Sequence, residues 1–179
     1  MTDAAGRPLP SLLAEFDGRR TAPLERIREA GPPSTHLVSE ALGFIDADDA
    51  RIAAAATWLL RAWWEDGLVM EAGEWDTLVS SLAGVSDPWA CLHLAQSVRV
   101  LDVPERHAND VAAFLERCRA SDRPFLRAWA MDGLVQLGRT HRRFRTAGDA
   151  ALADAFEDPA ASVRARARRV AAASPPSPR

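Results

Sequence analysis

The 179-residue chain contains no lysine and no tyrosine, so all 22 of its cationic side chains are arginine. With its abundant alanine, this composition suggests a GC-rich bacterial source. Only two cysteines occur, Cys91 and Cys118. Each falls at an apolar helix position or near a helix end, which favours buried thiols over a disulfide or a metal pair. No apolar run approaches the roughly 20 residues that span a bilayer, and the N-terminus has no hydrophobic signal segment, so a cytoplasmic protein off the membrane is expected. Period-two alternation is missing and β-branched residues are few, which leaves helices as the expected elements.

The motifs of chemistry are equally sparse. His36, His93, His107 and His141 lie far apart in sequence, and there is no HExxH, no paired CxxC and no glycine-rich phosphate loop. Ser80, Ser81 and Ser86 lack the strand-to-helix setting of a nucleophile elbow. Asp46, Asp48 and Asp49 cluster at a helix start, where helix capping accounts for them better than calcium does. The expectation is therefore no cofactor, no metal and no catalytic set, hence a protein more plausibly not an enzyme.

What the chain does have is repetition. In Asp122 to Gly138, the aspartate reads as an N-cap, Pro124 sits in the first turn, and Gly138 reads as a C-cap. Between them Leu126, Ala130, Leu134 and Leu137 make one apolar stripe at helical spacing. Similar segments start at Asp158-Pro159, at Asp87-Pro88 and, less regularly, near Asp46 to Asp49. Aligned on Ile52, Cys91, Leu126 and Val163, they are spaced by 39, 35 and 37 residues. Four residues on, the column reads Ala56, Ala95, Ala130 and Ala167. A period in this range signals stacked helical hairpins, and a column of small side chains allows close approach between layers.

The combination Asp-Pro, then hydrophobic-Arg-x-x-Ala (Leu126-Arg127-Ala128-Trp129-Ala130; Val163-Arg164-Ala165-Arg166-Ala167), resembles the second helix of HEAT-type repeats over residues 34 to 173. The first two copies carry Ala53 and Leu92 where the motif has arginine. The resemblance implies an all-α fold, a short right-handed α-solenoid of about four HEAT-like hairpins. Residues 1–33 would be an N-terminal tail and helical cap, with short helices around Leu12 to Phe16 and Leu24 to Ala30. Residues 34–173 would form the array, and 174–179 a disordered, Pro-rich tail.

Two sets of side chains stand out as candidate partner-binding residues. Six tryptophans are many for this length. On the helix after Asp49, Trp63 continues the core stripe, Trp64 falls at its boundary, and Trp58 projects about 240° from Ile52, beside Arg61. Trp58 and Arg61 would serve as a protein-contact anchor, unless the N-terminal helices cover the indole. Arg127, Arg164 and Arg168 would line the concave side that HEAT-like arrays form from their second helices. They could instead pair with aspartates of the adjacent repeat, a structural ladder.

The net charge is −3, but residues 1–104 hold 8 arginines and 16 carboxylates while residues 105–179 hold 14 arginines and 9 carboxylates. An acidic first part argues against a general nucleic-acid coat. The leading expectation is a non-catalytic interaction or scaffold module that binds a protein or acidic peptide segment on its concave face. The alternative is a nucleic-acid-binding protein resembling HEAT-like alkylpurine DNA glycosylases, suggested by Trp129 and Asp132 beside Arg127. A lyase-like or chaperone role for a bound cofactor is a third implication of the resemblance. The oligomeric state is left open.

Overall fold

A computed structural model describes residues 8–173, so the expected tail at 174–179 lies outside the described residues. Every regular element among the described residues is helical, and the chain divides into two compact units, one up to Leu101 and one from Asp102.

The first unit holds α1 (Leu9–Leu13), α2 (Ala22–Glu29), α3 (Thr35–Leu42), α4 (Ala50–Glu65), α5 (Ala72–Leu82) and α6 (Pro88–Ser97). Helix α3 packs on α4, α5 packs on α3, and α6 packs on α4. Helices α1 and α2 lie against α4. Leu24, Leu42, Ile45, Leu59, Leu60 and Trp63 form the fully buried centre, each such side chain contributing about 1.5–3 kcal/mol when withdrawn from water. Two expectations shift here. Helix α1 spans Leu9–Leu13 rather than Leu12 to Phe16, because Pro10 fits the first turn and Leu9 is buried. Trp64, expected at a boundary, is buried like Trp63.

Two aspartates of this unit act as caps. Asp49 accepts from the Arg51 amide at 2.9 Å to start α4, and Asp87 accepts from the amides of Trp89 and Ala90 at 3.0 and 2.8 Å to start α6. Each satisfies donors that the first helical turn leaves without an internal partner.

The second unit holds α7 (Ala108–Arg119), α8 (Pro124–Thr140), α9 (Arg145–Phe156) and α10 (Ala161–Ala172), with 3₁₀ turns at Glu105–His107 and Arg142–Phe144. Helix α8 packs against α7, α9 and α10. Asp122 does not cap it. Arg123 stays extended (ψ 115°), as a residue before proline must, so the helix begins at Pro124 without a side-chain cap. Nor does Gly138 end it. The helix runs two residues further, and Gly138 instead admits a neighbour: a β-carbon there would lie 3.0 Å from the Phe144 carbonyl oxygen and the Arg145 α-carbon. At Gly148 of α9, a β-carbon would come within 2.9 Å of the Leu134 carbonyl oxygen on α8.

The four aligned alanines, Ala56, Ala95, Ala130 and Ala167, are each 0% exposed. Cys91 and Cys118 are buried, and neither forms a disulfide.

Candidate functional site

Along α4, Ala50, Ala54, Trp58 and Arg61 recur at intervals of four, four and three residues, which places them on one edge of the helix. The start of α6 brings Asp87, Trp89, Leu92, His93 and Gln96 alongside. The link between α1 and α2 supplies Phe16, Gly18, Arg19 and Thr21 as a wall. Together with Arg51 these residues line an open groove of about 690 Å³ within the first unit, a volume in the range of ligand-binding clefts. Trp58 is half-buried, so the N-terminal segment flanks its indole without covering it. Trp89 is 52% exposed.

Beneath the groove runs a polar network. The Thr57 hydroxyl lies 2.8 Å from the Ala53 carbonyl oxygen, to which it can donate, and 3.1 Å from His93 Nδ1. Burial, reinforced by the positive charge of Arg61, pushes the His93 imidazole down to about 3, so it is neutral at ordinary pH. Arg61 donates one hydrogen bond, Nη1 to Gln96 Oε1 at 2.9 Å, and stands 3.8 Å from the Glu65 carboxylate. Its Nε–H is buried with no hydrogen-bond partner. Arg51 is met by Asp49 at 3.0 Å.

The arginines of the second unit are differently employed. Arg127 grips Asp158 through Nε and Nη2 at 2.7 and 2.9 Å, while Nη1 donates to the carbonyls of Ser121 and Asp122 at 3.1 and 3.0 Å. That pairing holds the Asp158 carboxyl below its usual range. Arg164 repeats half of the pattern, with Nη1 donating to the carbonyls of Asp158 and Pro159 at 2.6 and 2.9 Å. In both helices the arginine reaches back five and six residues to close the loop that precedes it. Arg127 in addition ties α8 to the loop that precedes α10. Arg168 is exposed.

Trp129 and Asp132, the pair that suggested a glycosylase-like site, are both engaged by Arg166. Its guanidinium lies over the Trp129 ring at 3.5 Å from the centroid and donates Nε to the Asp132 carboxylate at 2.7 Å. Asp132 is 5% exposed. A carboxylate so enclosed and neutralised has no open approach to a base.

Of the five candidates read from sequence, Trp58 and Arg61 come together in the groove, Arg127 and Arg164 close loops, and Arg168 faces solvent. Sequence reading missed Trp89, Arg19 and His93 as groove members. Trp89 directly follows Asp87-Pro88 and lies off the stripe of Cys91 and Ala95, so an outward indole was the available signal. Nothing in sequence brings Arg19 to α4, because that juxtaposition is tertiary. Comparison with family models, with curated proteins and with solved structures finds no match to this chain.

Proposed function

We propose that the chain is a HEAT-like repeat protein of stacked helical hairpins, a short solenoid, that works as a non-catalytic binding module. The four alanines closed to solvent support the repeat reading, as does Arg127 clasping the aspartate of the following copy. So does the packing of α3 on α5 and α4 on α6 within the first unit.

The observation that carries the functional reading is the groove along α4 and α6. An indole 52% exposed and a second half-buried one share this cleft with arginines, the residue types that dominate protein-contact energetics. The partner-binding role therefore passes to Trp58, Arg61 and Trp89. Arg127 and Arg164 serve the ladder: Arg127 spends Nε, Nη1 and Nη2 inside its own unit, and Arg164 spends Nη1 on the loop before its helix.

Photo-crosslinking in the native host tests this, with benzoyl-phenylalanine placed at position 89 and, as control, at the exposed Phe156. A defined protein adduct formed from position 89, not from 156, and lost on Trp58→Ala with Arg61→Ala is the expected outcome. Identical adduct patterns from the two positions would sink the groove as the contact site.

A further inference from the structure

The chemistry of the groove narrows what it binds; this inference rests on the reading of the groove as a binding surface. The first unit is acidic, with eight arginines against fifteen carboxylates. Yet three of those arginines, Arg19, Arg51 and Arg61, line the groove and only one carboxylate, Asp87, does. Asp87 already accepts from two amides of α6. Arg51 is satisfied by Asp49. Arg61 is less fully met: its one hydrogen bond goes to a neutral amide, the Glu65 carboxylate stands 3.8 Å away, beyond hydrogen-bond reach, and Nε–H has no acceptor. Arg127 shows what saturation looks like in this chain, with a two-point carboxylate grip and two carbonyls. The enclosed Nε–H is out of a ligand's reach, but a guanidinium whose terminal N–H groups outnumber its acceptors is a receptor for a carboxylate. The remaining lining sets the apolar Trp58, Trp89 and Leu92 beside the neutral polar Thr21, His93 and Gln96.

We infer that the groove takes an acidic peptide segment of a partner protein, one carboxylate completing the hydrogen bonding of Arg61 and an apolar side chain laid against Trp58 and Trp89. A nucleic-acid strand fits less well. It brings a negative charge with every nucleotide across a unit that is itself negative, whereas a peptide brings one or two charges to the arginines and apolar contact elsewhere.

Selection of a displayed library of short random peptides on the full-length chain tests the inference. Bound peptides are expected to be enriched in Asp or Glu next to Phe, Leu or Trp. Their affinity should fall about tenfold on Arg61→Gln, and again at least about tenfold between roughly 50 and 500 mM salt. Circular dichroism verifies that the variant is folded. Neutral or basic peptides that still depend on Trp58 and Trp89 would overturn the acidic chemistry and leave the groove a binding surface. Peptides indifferent to Trp58→Ser with Trp89→Ser, or no enrichment, would overturn both readings. Binding of single-stranded oligo-dT that depends on the same tryptophans would overturn the peptide in favour of nucleic acid.

Discussion

Single side chains in this chain are decided by how completely their donors and acceptors are met. His93 is buried neutral, so the unfolded chain gains a proton below the ordinary histidine range while the folded chain gains it only near 3. Stability is therefore expected to fall as pH drops from about 6.5 towards 3, with a slope of up to about 1.4 kcal/mol per pH unit from this residue. Urea midpoints at pH 4 and 7 for wild type and His93→Gln check it: the variant should lose less stability on acidification. An equal loss would show that His93 does not titrate on unfolding. Asp158 works in the same direction at lower pH, since its held-down carboxyl contributes stability above the usual carboxylate range and loses it as pH falls through the folded value. Arg127→Met should cost about 2–3 kcal/mol, because it strands a largely enclosed carboxylate. Arg164→Met removes only two carbonyl contacts and should cost about 1 kcal/mol. Thermal unfolding of the two variants side by side separates these values, and equal losses would contradict the ladder.

The helices were legible to different depths. The alanine column could be read from the sequence because a requirement for smallness returns at a fixed interval, and all four positions are closed to water. The ends of α8 could not. Asp122 looks like a cap until the proline rule moves the start past Arg123, and Gly138 looks like a terminator because its neighbours Phe144 and Arg145 arrive only with the fold. The groove was half legible: Trp58 and Arg61 follow from helical geometry, while Arg19 joins them through a tertiary approach that has no period. Gly148 marks the closest crossing. Gly148→Ala would press a methyl against the backbone of α8, and Ala130→Leu would force a larger side chain into a filled layer. Each is expected to destabilise by about 1–3 kcal/mol in urea titrations. A neutral Gly148→Ala would mean that α9 can slide away from Leu134 without loss.

Across the whole chain, acidic and basic residues are unevenly shared, and the excess arginine falls after Leu101. Several of those arginines are bound to aspartate, glutamate or carbonyl oxygen within their unit, which lowers their value for phosphate neutralisation. Duplex DNA is accordingly expected to show no binding at about 50 mM salt. Tight binding there that collapses by about 200 mM would restore the nucleic-acid reading. The two buried thiols have a practical consequence for the same large scale. One sulfur lies in each compact unit, Cys91 before the division and Cys118 after it. A brief alkylation pulse read by mass spectrometry would thus time the breathing of each half separately, in the native sequence and with no dye attached.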